Sequence, residues 1–420
     1  MIKKIKIEGY KSFKNMELEL KPLTVIFGPN SSGKSNLLDA IFFLSQVVSK
    51  KNIKEAFEGH RGLPLESFFY GEKGYEGNLK QPNLQFTFEV DVEISPLVRD
   101  KVERIILEKR KGIDSANSTK HIGIEKLLRY NLTIEALPKT GYLRVENERL
   151  CAIKSNGQEK KRRAFLEKEG GYIHLRMEGQ SHPTYHQIGL DHTIVSTALY
   201  EPHYPHITAF RLELANWYTY YLEPRILMRE EVPVAEIESL GPRGENLSAF
   251  LNTLKHKYKK DYDHFNLSLK QILPVISNIE VVQSKEGRVG LHLFENSQRF
   301  SSRLISEGTL RLIGLLCAIH PRNPTTLVAF EEPENGVHPV RLKCISDLLK
   351  NASLQYEKQI IVTSHSPILL GYFADEELFV CSREGNQTSI KPFKTYGTMF
   401  RTKDIRRALE EGILRGDIEA

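Results

Sequence analysis

Apolar residues alternate with charged ones in IKKIKI (2–7) and MELEL (16–20), the pattern of strands with one face covered. The next apolar run, LTVIF (23–27), predicts a central strand buried on both faces. After the turn GPNSSGKS comes NLLDAIFFLSQVV (36–48), too densely apolar for a surface helix and therefore read as one packed on a sheet. From about 84 to 190 the texture changes to strand-like pieces, LQFTFEVDVEI, LLRYNLTIEAL, YLRVENERLCAIK and YIHLRME, separated by polar and Gly-containing segments. They predict an antiparallel, mostly exposed β subdomain.

Residues 207–231 and 245–273 read as helical, with Pro224 interrupting the first, and neither sustains the heptads of a long coiled coil. The last third predicts a buried helix at 309–319, buried strands at 325–330 and 359–363, and the helix VRLKCISDLLKNA between those strands. Strand, helix, strand implies a parallel sheet. The expected fold is an α/β core assembled from both chain ends. Residues 1–80 and 276–420 form that core, 81–200 an inserted antiparallel β subdomain and 201–275 a helical lobe. The tail FRTKDIRRALEEGILRGDIEA (400–420) reads as a solvated helix.

Length and composition bound this picture. A chain of 420 residues suggests two packed regions or one large domain with insertions, and 40% hydrophobic with 27% charged residues is a globular composition. The net charge of +6 permits contact with a polyanion without requiring it. Singly, the basic clusters EKRKG (108–112), QEKKRR (158–163) and KHKYKK (255–260) read better as solvated faces than as phosphate-tracking patches. Cys151, Cys317, Cys344 and Cys381 have no C-x-x-C spacing, which argues against a zinc site or disulfide framework and suits a reducing cytoplasm. The N-terminus has no apolar signal region and no run of about 18 apolar residues occurs, so no membrane span is expected.

Four short motifs carry the chemistry. Gly28, Pro29, Asn30, Ser31, Ser32, Gly33, Lys34 and Ser35 fit G-x-x-x-x-G-K-[ST] between a buried strand and an apolar helix, the context that distinguishes a P-loop from a Gly-rich turn. Backbone N–H groups and the helix N-terminus there favour phosphates, with Asn36 opening the helix. Lys34 is expected to neutralise β and γ phosphates, and Ser35 to put its hydroxyl on Mg2+. No guanine-reading N-K-x-D-type stretch is evident, which favours ATP. The second motif, Ser306, Glu307, Gly308 and Thr309, is by itself an ordinary helix start with an N-cap serine. The third places Glu331 and Glu332 together where a buried strand ends, so that two repelling carboxylates have a cation or proton to manage, unless they merely open a solvated loop. The fourth, TSHS (363–366), holds His365, which alone would read as a satisfied polar residue at a strand end.

In this order, GPNSSGKS, SEGT, FEEP and TSHS resemble the ABC-type ATPases of the RecF, SMC and OLD lineage, a group that includes AAA15- and AAA21-type ATPases; the opening IKIEGYKSFKNMELELKPLTVIFGPNSSGKSNLLDAI is similar as well. The resemblance covers roughly 1–48 and 300–382. It implies that Ser306, Glu307 and Gly308 are the signature that completes the nucleotide site of a second subunit in a head-to-tail dimer. It further implies that Glu331 holds the water shell of Mg2+, that Glu332 positions or deprotonates the attacking water, and that His365 bonds the γ-phosphate. The segment PENGVHP (333–339) would lie at the dimer interface. Two Glu in place of Asp-Glu, and Thr309 in place of Gln, depart from the transporter pattern, and no Q-loop glutamine is assigned.

The implied function is an ATP-hydrolysing dimeric clamp or switch in DNA-linked processes, foremost anti-phage defence with a separate effector or nuclease. DNA and higher oligomers are further expected partners. A RecF-like repair ATPase is the alternative. A transporter's ATP-driving subunit fits the same motifs, yet about 270 residues between P-loop and signature are too many for it. Because the chain stops at Ala420, shortly after the last core strand, no intrinsic TOPRIM nuclease is expected.

Overall fold

The computed structural model describes residues 1–111, 123–177 and 183–396, so the helix expected at 400–420 lies outside the described residues. Three strands, β1 (Ile2–Tyr10), β2 (Phe13–Glu19) and β3 (Leu23–Phe27), lead into helix α1 (Lys34–Val47). Short helices α2 (Ile53–Ala56) and α3 (Gly74–Leu79) precede β4 (Leu84–Glu93) and helix α4 (Pro96–Lys111). Then come β5 (Leu127–Leu137), β6 (Tyr142–Ala152), β7 (Leu166–Glu169), β8 (Tyr172–Leu175) and β9 (Thr184–Gln187). Eight of these strands form one antiparallel sheet in the order β2-β1-β4-β5-β6-β7-β8-β9.

That sheet differs from expectation in three respects. It is continuous with the start of the chain, because β1 pairs with β2 on one side and β4 on the other, placing Ile5 between Leu18 and Val90. It is also not mostly exposed: Phe86, Phe88, Val90, Val92, Leu132 and Ile134 are buried. Their period of two sends one whole face into the core shared with α1. Where a polar connection was expected after β4, α4 stands, with Val98, Val102 and Ile106 at four-residue spacing and all buried. The opposite sheet face is laced by ion pairs, Lys4–Glu17, Lys6–Glu8, Arg129–Asp91 and Arg144–Glu135.

After α5 (Pro205–Ala215) the chain forms strand β10 (Trp217–Tyr220), not the helix expected to run to 231. Aromatic and β-branched side chains favour the extended form, and β15 supplies a parallel edge with Trp217 opposite Leu327 and Tyr220 opposite Phe330. The central part of the chain therefore contributes a core strand as well as helices. It continues through β11 (Val232–Pro233), α6 (Leu247–Lys257), α7 (Lys259–Ile272) and a small antiparallel sheet of β11 with β12 (Ile276–Gln283), β13 (Arg288–Glu295) and β14 (Gln298–Ser301).

The last third supplies α8 (Glu307–Ile319), β15 (Leu327–Glu331), α9 (Leu342–Gln355), β16 (Gln359–Ser364), α10 (Pro367–Leu370), β17 (Leu378–Glu384) and β18 (Gln387–Pro392). The second large sheet runs β10-β15-β16-β3-β17-β18, parallel except for β18. As expected, β3 is central and both chain ends build this sheet. Ile26, Ala329, Ile361 and Phe379 pack towards α1 and the antiparallel sheet. Val25, Val328, Phe330, Ile360 and Val362 pack on the other side with residues of α6, α8 and α9. Burial on both faces is why these strands are continuously apolar.

Gln359 joins the two large sheets. Its Oε1 accepts from Ile2 N at 2.6 Å and its Nε2 donates to Ile2 O at 2.8 Å, both in the interior, and to Lys21 O at 3.2 Å. Gln359→Leu keeps the volume and strands the backbone groups of Ile2. It should lower stability by about 2 kcal/mol, read as a lower denaturation midpoint; an unchanged midpoint would contradict the bridging role.

Candidate nucleotide site

The turn from β3 to α1 is shaped by what surrounds it. A Cβ on Gly28 would stand 2.1 Å from the carbonyl oxygen of Cys381 in β17. Gly33 has φ +104°, and a Cβ there would meet Thr388 Oγ1 at 2.1 Å. Only glycine fits either place. Ser31 also takes positive φ, +65°, and its carbonyl accepts from Arg383 at 3.3 Å. No side chain caps α1, so the positive end of its dipole faces the loop.

Lys34 is buried, and its Nζ donates to Gly28 O and Pro29 O, both at 2.8 Å. Burial pulls its pKa below the ordinary value, against the nearby carboxylates Glu331, Glu332 and Glu334. Ser32 is buried with an unpartnered hydroxyl, while Asn30 is exposed on the loop. Asn36, a candidate nucleotide contact at the start of α1, donates from Nδ2 to Ser12 Oγ at 2.6 Å and ties the site to the β1–β2 turn.

Ser35 Oγ donates to Glu331, joining the P-loop to the end of β15. Glu332, next in the chain, has φ +47° and donates its N–H to Thr363 O at 2.9 Å. This backbone turn sends the two adjacent carboxylates to different partners. Glu332 Oε1 meets His365 Nδ1 at 2.8 Å, and its Oε2 accepts from Asn335 Nδ2 at 2.6 Å. Burial acts to raise the Glu332 pKa, but the bonds from His365 and Asn335 and the charge of Lys34 outweigh it and hold the carboxyl below its usual range. Lys34, Ser35, Glu331, Glu332 and His365 are thus gathered at the carboxyl ends of three adjacent parallel strands, where α/β sheets bind ligands.

Ser306, Glu307 and Gly308 form a second surface. Ser306 caps α8, accepting from Thr309 N at 3.2 Å, and Glu307 pairs with Arg225 at 3.3 Å. A Cβ on Gly308 would lie 2.4 Å from Gly336 O, so the start of α8 rests on the loop that follows Glu332.

Several site residues carried no signal that sequence reading used. Arg61 forks onto both oxygens of Glu331. Asp39, buried on α1, accepts from Lys11 Nζ at 2.5 Å and Tyr221 Oη at 3.3 Å. The lone acid in an otherwise apolar stretch of α1 was a usable clue; Arg61 stands between turns without periodicity. Glu334 accepts from Ser364 Oγ at 2.5 Å, its other oxygen has no partner, and burial raises its pKa.

These residues suit Mg2+ and a triphosphate. Gly28 and Gly33 keep side chains out of the cradle, Ser32 leaves a buried polar atom unspent, and Ser35 with Glu331 offers hard oxygen donors. Among the described residues no cluster of three His, Cys, Asp or Glu side chains forms a metal cage. Mg2+ needs no such cage, since waters and phosphates fill most of its shell.

Two family models match the chain: "AAA ATPase domain" over residues 1–184, and "AAA domain, putative AbiEii toxin, Type IV TA system" over residues 205–371. Their junction falls beyond the antiparallel sheet, and each brings one half of the nucleotide site. Together the two models span most of the chain, and the chain is similar in sequence to ABC-type ATPases of the RecF/SMC lineage. Chromosome partition protein Smc of Methanocaldococcus jannaschii is 44% identical over 54 residues, 13% of this chain and 5% of that protein. DNA replication and repair protein RecF of Lachnoclostridium phytofermentans is 30% identical over 56 residues, 13% of this chain and 16% of RecF. The chain therefore spans only a small part of either relative's length. A solved SMC head bound to the C-winged helix domain of ScpA shares the fold, with TM-score 0.51 and 16% identity over 93% of this chain and 97% of that one.

Gly28→Ala should abolish binding of an ATP analogue, measured by calorimetry, because the added methyl forces the P-loop away from β17. Binding at the unaltered affinity would show that the loop tolerates the shift.

Proposed function

We propose that the protein is a Mg2+-dependent ATPase that works as a dimeric switch, closing around two ATP molecules in a DNA-linked process. The observation that carries this reading is the Ser35–Glu331 contact, which joins the phosphate loop to the strand-end carboxylate beside the Glu332–His365 pair. Mg2+, when bound, supplies charge neutralisation for the phosphates. The chain supplies positioning, which phosphoryl transfer needs more than covalent chemistry.

Lys34 would turn from the loop carbonyls to the β and γ phosphates, and Ser35 would hold the metal through its oxygen while its O–H still donates to Glu331. Glu331 would accept from waters held by the metal. Glu332, held ionised, orients the attacking water and takes up its proton, while His365 fixes that carboxylate and reaches the γ-phosphate. Gly28, Asn30, Ser31, Ser32 and Gly33 frame the phosphates through the loop. Asn36 acts indirectly, through Ser12.

Ser306 bonds to Thr309, Glu307 pairs with Arg225, and Gly308 packs closely on the Gly336 backbone, none of them P-loop residues. A second copy of the chain would bring that surface to the γ-phosphate, with the 333–339 loop at the interface. The names of the Smc and RecF relatives support a DNA-linked role. The ion-paired face of the antiparallel sheet is a poor phosphate track, which favours the dimer's other surfaces for DNA. The toxin–antitoxin description of one matching model supports a place in anti-phage defence, alongside a separate effector or nuclease. The RecF match supports repair as a second reading. Among the described residues no helix is long and apolar enough to cross a membrane, and the reading places the protein in the cytoplasm.

Glu332→Gln should bind ATP, lose about a hundredfold or more in turnover, and accumulate as dimers in sedimentation; wild-type turnover would remove Glu332 from its role. Ser306→Arg should leave ATP binding to single chains intact and prevent dimers from forming on ATP addition. Normal ATP-dependent dimers would count against a site shared between subunits.

A further inference from the structure

Arg61 belongs to none of the four motifs, yet it is applied directly to Glu331. Its Nη1 donates to Oε1 at 3.1 Å and its Nη2 to Oε2, while Ser35 Oγ also donates to Oε1. An ionised carboxylate offers about four lone-pair directions, so most of the acceptor capacity of Glu331 is committed.

The guanidinium is held from behind. Its Cζ lies 4.8 Å from the centroid of the Tyr221 ring and its Nε 3.9 Å from Asp39 Oδ1. The carbonyl of Arg61 accepts from Lys11 Nζ at 3.2 Å and faces His60 Nδ1 at 3.0 Å. Asp39 is buried and anchored in turn by Lys11 and Tyr221. A planar fork aligned this way on a carboxylate is the strong form of an ion pair, in which both geometry and charge favour the contact.

Mg2+ sheds its waters reluctantly and is commonly held through them. A metal ligated by Ser35 would direct its water protons to the lone pairs of Glu331 that Arg61 holds. Both claimants are cations and there is one carboxylate. We propose that Arg61 is a built-in rival of Mg2+ for Glu331, aimed by Tyr221 and Asp39, and that arrival of the metal turns its guanidinium off the carboxylate. The inference rests on the reading of Glu331 as the metal-shell carboxylate.

The rivalry also reaches beyond the site. Tyr221 immediately follows β10, and its N–H is bonded to Pro242 O at 2.9 Å. Arg61, packed on the Tyr221 ring, would therefore move beside the point where the central segment leaves the core.

The test is the gain in affinity for the non-hydrolysable analogue AMPPNP on adding Mg2+, measured by calorimetry on the full chain. This ratio separates metal from nucleotide, because any direct effect of Arg61 on phosphates appears in both measurements. Arg61→Ala should enlarge the gain roughly fivefold, since the metal no longer displaces a competing pair. Glu331→Gln should abolish the gain in either background. A gain in Arg61→Ala equal to or below that of the unaltered chain, with the gain still lost in Glu331→Gln, overturns the rivalry. A Glu331→Gln chain that keeps the full gain overturns the metal-shell reading itself. Arg61→Gln decides the question by the same criteria should the alanine variant fold poorly.

Discussion

Parallel pairing of β3 with β16 brings the two ends of the chain together, and the site depends on its register. Ile26 lies opposite Thr363 and Phe27 opposite Ser364, while on the far side of β16 Glu331 lies opposite Thr363. Three strands therefore end at one level, and Gly28, Glu332 and His365 leave them side by side. A slip of one residue would turn every side chain of a strand to its opposite face. The register is protected because both faces are buried: Val25 and Ile26 belong to opposite cores.

The second constraint is the repulsion between Glu331 and Glu332. Two carboxylates held about 4 Å apart near a protein surface repel by about 4 kcal/mol. A non-glycine residue at positive φ costs roughly 1–2 kcal/mol. The chain accepts the smaller cost: Glu332 takes φ +47°, and the pair divides between Ser35 and Arg61 on one side and His365 and Asn335 on the other. Separate partners permit separate chemical tasks. One carboxylate is thus paired with a guanidinium, while the other is hydrogen-bonded to His365 and Asn335.

The strand-end motifs were legible because each packs its chemistry into a few consecutive residues after an apolar run. The buried strands β3, β15 and β16 and the helices α1, α8 and α9 were legible for the same reason. β10 was not, since WYTY has no alternation and is extended only because β15 lies beside it. The burial of the antiparallel sheet was missed because alternation reveals a covered face without revealing how completely it is covered. Arg61, Asp39 and Tyr221 are far apart in sequence, and only the packing of α1 against β10 and the loop after α2 brings them to Glu331. Asn36 is the reverse case, a motif position whose side chain serves the scaffold.

The central claim is a Mg2+-dependent ATPase whose site is completed by a second copy of the chain. It is tested most directly by the rate of phosphate release from ATP, in Mg2+, as the concentration of purified full chain is varied at saturating ATP. If two chains share each site, the rate rises with the square of protein concentration at low concentration and becomes linear once dimers predominate. Strict proportionality down to the most dilute samples, with the protein sedimenting there as a monomer, would contradict the account.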